Sequence, residues 1–317
     1  MPRSNAEQEA APPRMIAVVG PTASGKSALA LRLAQALGGE IISTDSMQVY
    51  RHLDIGTAKA TARQRRLVPH HLLDMVNPDE PYSAGRYTAD AARVIARLGA
   101  QGKAPLLCGG TGLYFRALLF GLADIPGIPS AIRERVQRLH GRKGLAACRE
   151  ELERLDALGA AALHPNDKAR NLRALEVVLA TGRPIHEFQQ ATPFRDGAGN
   201  VLSVGIAWQR PELYSRIADR VAAMLEGGWV EEVRRVLEMG YHPEVKPLRA
   251  IGYKEIAALL QAKRDQARLA EDIAQRTRNY AKRQLTWLRK HPGIFWCAPG
   301  EEDKILERAQ FFLKTGK

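Results

Sequence analysis

The chain has little cysteine and no long hydrophobic run, and both absences narrow what it can be. Its three cysteines, Cys108, Cys148 and Cys297, are odd in number and widely spaced, and they form no Cys-x-x-Cys pair. That excludes a disulfide framework and a cysteine zinc site, and it fits a reducing, cytoplasmic setting. No uninterrupted apolar stretch approaches the ~20 residues that span a bilayer, so no membrane partner is expected. Residues 1–14, Met1 to Arg14, are polar and Ala/Pro-rich and lack the apolar centre of a signal peptide. They read as a disordered tail. No internal repeat is visible.

Acidic residues are also short. Lys and Arg number 47 against 34 Asp and Glu, and the sequence pI is about 9.9. A chain this basic attracts polyanions. The excess is concentrated late: Arg249 to Lys290 carries eleven Lys/Arg and four Asp/Glu. With 317 residues, the chain has room for one large domain or two ordinary ones.

What is present is more specific. Gly20, Pro21, Thr22, Ala23, Ser24, Gly25, Lys26 and Ser27 form a complete Gly-x4-Gly-Lys-Ser phosphate loop. It follows the apolar run Met15–Val19 and opens the helical pattern Ala28–Leu37, the strand–loop–helix context the motif requires. Glycines let several backbone N–H groups point at one anion, Lys26 adds a mobile charge, and the helix adds its positive end. The Ser27 hydroxyl is the candidate ligand for a Mg²⁺ ion shared with the bound phosphates.

Short apolar runs alternate with helical stretches up to about Leu122. Ile16–Val19, Glu40–Thr44, His71–Val76 and Pro105–Cys108 read as strands, and Ala28–Leu37 and Ala84–Gly99 as helices between them. The pattern predicts an α/β fold: a parallel sheet covered on both faces, of the P-loop NTPase-like kind. Ligands in such sheets lie beyond the carboxyl ends of the strands. The phosphate loop, Asp45-Ser46, Asp74 and the second glycine turn Gly109-Gly-Thr-Gly are therefore expected to face one crevice. The expected domains are residues 15–123 for the first part of the core, 124–200 for an all-helical insertion, and 201–317 for the rest. The insertion begins at the linker Asp124-Ile-Pro-Gly-Ile-Pro, contains helices near Ser130–His140, Leu145–Leu158 and Asp167–Ala180, and ends at the Gly197-Ala-Gly-Asn turn. Val201–Ala207 resumes as a strand. A basic helix then spans about Leu269 to Lys290, with an inner stripe of Ile273, Thr277, Ala281, Gln284 and Leu288, and His291-Pro292 stops it.

Several residues carry two readings at this level. Asp45, nineteen residues after Lys26, is a general base at the mouth of the phosphate site, or else a helix cap or metal-orienting carboxylate. Gly109-Gly-Thr-Gly lets backbone and the Thr111 hydroxyl approach a substrate, or is an ordinary turn. His164-Pro-Asn-Asp-Lys-Ala-Arg is a helix cap or a phosphate contact. Arg216 and Arg220 share a helix face and clamp a pyrophosphate, or are simply solvated. Lys282-Arg-Gln-Leu-Thr-Trp-Leu-Arg289 suits a nucleic-acid backbone and a stacked base, unless Trp287 is core.

Taken together, these strings resemble the bacterial tRNA dimethylallyltransferase family. The matching segments are the phosphate loop, Ser43-Thr-Asp-Ser-Met-Gln-Val-Tyr50, Asp54-Ile-Gly-Thr-Ala-Lys59, His71-Leu-Leu-Asp74, Gly109-Gly-Thr-Gly-Leu-Tyr114, His164-Pro-Asn-Asp-x-x-Arg170, Ile251-Gly-Tyr253 and Lys282-Arg-Gln-x-Thr-Trp-Leu-Arg289. They occur in the family's order over about residues 15–291. The resemblance implies a P-loop-type core with an inserted helical domain, acting as a monomer. It implies Mg²⁺-dependent transfer of a dimethylallyl group from dimethylallyl diphosphate to the adenosine at position 37, in the anticodon stem-loop of a tRNA. It implies Asp45 as the base near the adenine N6, with Thr111 and Arg133 also at the reacting site. Arg216 and Arg220 would join the phosphate loop on the diphosphate. Contacts to the tRNA would come from Asp45, Ser46, Met47 and Gln48; from His164, Pro165, Asn166, Asp167 and Lys168; from Arg249, Ala250, Ile251, Gly252, Tyr253 and Lys254; and from Lys282, Arg283, Gln284, Leu285, Thr286, Trp287, Leu288 and Arg289. The rival from the loop alone is a small-molecule or nucleotide kinase.

Overall fold

A computed structural model describes residues 13–191, 200–262, 266–291 and 293–316. The segments 1–12 and 192–199, which hold most of the expected tail and the Gly197 turn, lie outside the described residues. The chain divides into two compact units, one of Met1–Leu119 with Gly197–Lys317 and the other of Phe120–Asp196.

The first unit is built on six parallel strands: β1 (Met15–Val19), β2 (Glu40–Thr44), β3 (His70–His71), β4 (Pro105–Gly109), β5 (Val201–Ile206) and β6 (Ile294–Cys297). Their order across the sheet is β3-β2-β4-β1-β5-β6. The helices here are α1 (Lys26–Leu37), α2 (Ala62–Leu67), α3 (Ala84–Ala100) and α4 (Gly112–Phe120). The second unit holds α5 (Ser130–Leu155), α6 (Ala157–Ala161), α7 (Lys168–Thr181) and α8 (Ile185–Ala191). The first unit resumes with α9 (Arg210–Glu226), α10 (Trp229–Glu238), α11 (Tyr253–Leu260), α12 (Leu269–Leu288) and α13 (Glu302–Thr315).

The strands read as near-continuous apolar runs because the sheet is buried on both faces. Alternate residues go to opposite sides. Ile16, Val18, Leu106 and Val204 pack with Leu29 and Leu33 of α1 and with Ile305 and Phe312 of α13. Ala17, Val19, Ile42 and Leu107 pack with Tyr87 and Leu98 of α3, Ile217 of α9 and Ile273 and Ala281 of α12. Register brings three strand ends level: Gly109 of β4 pairs with Val19 of β1 on one side and Thr44 of β2 on the other. The next residues along, Gly20, Gly110 and Asp45, therefore emerge side by side.

The expected strand His71–Val76 is corrected to two residues, His70–His71, with Val76 making only an isolated bridge to Tyr50. Leu72 and Asp74 adopt positive φ of 62° and 56°, which no strand tolerates. The bend also corrects the place of Asp74. Asp74 does not line the cavity that holds Asp45; its carboxylate pairs with Lys59 Nζ at 2.7 Å, which does line it, and with Arg65 Nη1 at 2.8 Å. Burial would raise its pKa, but the hydrogen bonds from Lys59 and Arg65 outweigh this and hold it below the usual range. The Lys59 ammonium is buried and also reaches Tyr50 O at 2.8 Å and Asp54 Oδ1 at 2.7 Å.

In the second unit, α5 and α7 close over Val136, Cys148, Leu152, Leu172 and Leu175. Helix α5 is interrupted at Gly144, whose φ of 80° breaks the helical path. Asp167 caps α7, accepting from Arg170 N at 3.1 Å.

A buried carboxyl group organises the crevice wall of the first unit. Glu232 of α10 accepts from Asp54 N at 2.7 Å, Ile55 N at 2.6 Å and Gly56 N at 3.2 Å, and from Tyr253 Oη at 2.7 Å. Trp229, 2% exposed, fills the space left by the missing Cβ atoms of Gly56 and Gly252. Glu232→Gln replaces an acceptor oxygen by an amide donor facing N–H groups. Urea denaturation is expected to show a loss of about 2 kcal/mol or more. Glu231→Gln, on the exposed face, should change stability by less than about 0.5 kcal/mol.

Candidate active site

The phosphate loop bends between β1 and α1 through Gly20, Ala23 and Gly25, with φ of 157°, 64° and 88°. Pro21 and Ser24 are buried in it, and Thr22 is half-exposed. Three fixtures from elsewhere hold the loop. Trp208 Nε1 donates to Ser24 O at 2.9 Å, and Arg216 Nε donates to Ala23 O at 2.9 Å while its guanidinium stacks on Trp208. Gln284 of α12 accepts from Thr22 N at 2.8 Å through Oε1 and donates to Gly110 O at 3.0 Å through Nε2. The basic helix is thereby locked to both glycine turns.

Lys26, Arg220 and Asp45 meet where the turns converge, and all three line one cavity of about 560 Å³ together with Ser27, Thr22, Tyr280 and Gln284. Burial pulls the Lys26 pKa down, and Arg220 adds to the shift; Asp45 acts the other way. Burial likewise lowers Arg220, and Asp45 opposes this. Among the described residues no ion pair engages the Arg220 guanidinium. Two cations held close in a poorly solvated place make a site that gains by taking an anion. Arg216 braces the loop and, with Lys26, Ser27 and Arg220, lines a smaller cavity of about 290 Å³ at the phosphate loop, while Arg220 also reaches the Asp45 cavity.

Asp45 Oδ1 accepts from Met47 N at 2.8 Å. This fixes the turn after β2, and no hydrogen bond within the described residues occupies Oδ2. Thr111 Oγ1 accepts from Ser46 N at 3.1 Å, and Thr111 N donates to Thr44 O at 3.2 Å, so the second glycine turn is tied to the end of β2. Gln48 is a brace: it accepts from Ser43 Oγ at 2.8 Å and donates to Thr57 O at 3.1 Å. Tyr280 was not legible as a site residue, yet burial and then Asp45 push its phenol up to about 12. The signal was its place one helical turn before Gln284 on the inner stripe.

A second cavity of about 370 Å³ shares Asp45, Arg220 and Tyr280 with the first and adds Ser46, Met47, Arg249, Ala250, Ile251, Tyr253 and Arg283. The 249–254 segment therefore borders the Asp45 end of the site, with Lys254 exposed and Gly252 packed on Trp229. Tyr253, at 1% exposure, belongs to the core behind the wall. On α12, Lys282, Arg283, Thr286 and Arg289 are exposed, Leu285 is half-buried, and Gln284 and Leu288 are buried. Trp287 is half-buried, resting where Gly112 lacks a Cβ and lying 4.0 Å from the His291 ring. Arg133 and His164, Pro165, Asn166 and Lys168 are exposed, and Asp167 is half-buried; all belong to the second unit.

Ser27 is exposed beside Lys26. Among the described residues no group of three His, Cys, Asp or Glu could hold a metal ion by itself. The Ser27 hydroxyl is the candidate ligand here for a Mg²⁺ ion, which ordinarily keeps several waters and shares a substrate's phosphate oxygens. No helix among the described residues is long and apolar enough to cross a membrane.

A family model described as IPP transferase matches residues 48–291, and one described as isopentenyl transferase matches residues 13–80. The chain is 47% identical over 302 residues to tRNA dimethylallyltransferase 2 of Syntrophus aciditrophicus, covering 95% of this chain and 97% of that one. It is 46% identical over 301 residues to the tRNA dimethylallyltransferase of Geobacter sulfurreducens, with the same coverage. Among solved structures, the full-length tRNA isopentenylpyrophosphate transferase of Bacillus halodurans superposes with a TM-score of 0.70 at 35% identity, covering 96% of this chain and 97% of that one. A eukaryotic dimethylallyltransferase captured acting on tRNA superposes with a TM-score of 0.78 at 26% identity, covering 95% of this chain and 78% of that one. With a family model spanning most of its length, and with full-length relatives close to half identical, the chain belongs to the IPP transferase family.

Proposed function

We propose that the protein transfers a dimethylallyl group from dimethylallyl diphosphate to N6 of the adenosine at position 37 of tRNA, releasing diphosphate. The observation that carries this reading is the shared cavity of Lys26, Arg220 and Asp45. It supports an anion site and a carboxylate base a short distance apart. Three free cysteines support a reducing cytoplasm.

The chemistry follows from the substrates. The exocyclic amine of adenine is a poor nucleophile because its lone pair is delocalised into the ring. As the N6–C bond forms and the allylic C–O bond breaks, the electron pair of that C–O bond goes to the diphosphate. The N6 proton goes to the Asp45 carboxylate. Lys26, Arg220 and the loop N–H groups stabilise the charge that develops on the leaving group. Ser27 would hold a Mg²⁺ ion, which would supply further charge neutralisation. Arg283, Arg249 and the exposed cations of α12 support an RNA backbone approaching the Asp45 end. The adenosine must leave its stack to enter, at a cost of a few kcal/mol that those contacts offset.

The test is transfer of labelled dimethylallyl from its diphosphate to an anticodon stem-loop in the presence of Mg²⁺. Label in the RNA supports the reading. Absence of label, with substrate-dependent ATP cleavage instead, overturns it in favour of the kinase that the loop alone suggests.

Asp45→Asn is expected to lower transfer by about 10²–10⁴-fold with diphosphate affinity nearly unchanged. Full activity in that variant would remove Asp45 as the base. Lys26→Ala should weaken diphosphate binding as well as transfer, which separates the two roles in a titration calorimeter. The triple variant Lys282→Ala, Arg283→Ala, Arg289→Ala should weaken tRNA binding and reduce the slope of log affinity against log salt by about two to three. An unchanged slope would reject this surface.

A further inference from the structure

Along a neighbouring face of α12 lies a further cleft of about 720 Å³, and it shares no lining residue with the cavities that hold Asp45. We propose that this cleft, walled by Trp208, Arg210, Tyr214, Lys282, Arg289 and Trp296, is a stacking site for one unpaired nucleotide of the RNA substrate. The inference rests on the RNA reading above and adds a subsite to it.

Its charge comes first. Three cations line the cleft and no Asp or Glu does. Next is an aromatic that folding alone does not explain. Trp296 stands on the edge strand β6 and is 37% exposed. Edge strands ordinarily carry charge or proline, because exposed apolar edges invite aggregation. Here a large indole is kept at the edge and is given a seat: a Cβ at Gly205 would come within 2.7 Å of its ring. The neighbouring aromatics are also fixed in advance. Trp208 is held by its bond to Ser24 O and by the Arg216 guanidinium 4.2 Å from its ring, and Tyr214 Oη is 3.0 Å from Arg210 Nε. Arg210 and Arg278 lie over the Tyr214 ring, which leaves Trp296 as the exposed ring, beside Arg210, Lys282 and Arg289, none of them in an ion pair among the described residues. Such a setting suits a base and its phosphate, without regard to base identity.

The position completes the case. Tyr280 and Gln284 of α12 face the catalytic cavity, while Ala281, Lys282, Leu285 and Arg289 face this cleft. Pro21 of the phosphate loop lines the cleft as well. One helix thus borders two sites, and a single strand crossing it would present one nucleotide to each.

The experiment uses the whole protein and a set of anticodon stem-loops, each with one unpaired nucleotide replaced by an abasic unit. Trp296→Ala is expected to weaken binding of the intact stem-loop about tenfold or more, and Trp296→Phe to keep most of the affinity. One abasic position should cost wild-type protein a similar factor and cost Trp296→Ala nothing further. With wild-type protein alone, 4-thiouridine at that position should cross-link to Trp296, Trp208 or Tyr214. Wild-type affinity in Trp296→Ala, or losses that multiply at every abasic position, or cross-links confined to the Asp45 cavity, would overturn this subsite and leave the prenyl-transfer reading standing. Failure of wild-type protein to bind any stem-loop would overturn both.

Discussion

The side-chain amide of Gln284 joins the two glycine-rich turns. It satisfies Thr22 N on the phosphate loop and Gly110 O on the second turn, and it is itself buried. A buried amide is stabilising only when its donor and acceptor sides are both matched, so the geometry of one turn fixes the other. Gly110 has no Cβ because the amide occupies that place. Through this contact a helix late in the chain sets the distance between the anion site and the end of β2. The same helix offers its other faces to the Asp45 cavity and to the aromatic cleft.

Charge in this protein is divided between groups that are satisfied and groups that are not. Lys59 is saturated by Tyr50 O, Asp54 and Asp74, and Asp74 also takes Arg65. Glu232 uses backbone N–H groups of 54–56 much as a phosphate uses those of a phosphate loop, but here the anion is built in. These are structural fixtures. Lys26 and Arg220, in contrast, lie close together in a buried place, where among the described residues Lys26 reaches only a backbone carbonyl, Pro21 O at 3.2 Å, and Asp45 acts against the shift of both. An anion bound between them would relieve their repulsion.

Much of the core was legible. The runs at Met15–Val19, Glu40–Thr44, Pro105–Cys108 and Val201–Ala207 are strands within a residue or so, because a sheet buried on both faces needs continuous apolar sequence. The strand after His71 was not, since left-handed residues at 72 and 74 leave no trace in hydropathy. Strand β6 and helix α13 were also missed. Four residues of mixed exposure beyond His291-Pro292 carry no period, and the strand exists only because β5 offers an edge. The string Asp54 to Lys59 suggested no role by itself; the fold makes it crevice wall, with Glu232 on its backbone N–H groups and Thr57 and Lys59 at the cavity.

The sequence by itself determined the phosphate loop, the parallel α/β core, the basic character of the late helix and the candidacy of Asp45. These follow from local rules: glycine spacing, apolar runs and charge density are written residue by residue. Only the tertiary structure decided that Arg220 reaches the Asp45 cavity while Arg216 stays at the phosphate loop, and that Gln284 is a clasp and Tyr280 a neighbour of Asp45. It also decided that Trp296 is exposed and seated on Gly205. Each of these depends on strand register and on helix rotation about its own axis. Those are set by packing between residues up to 262 positions apart, as in the bond from Thr22 to Gln284, and no local pattern encodes them.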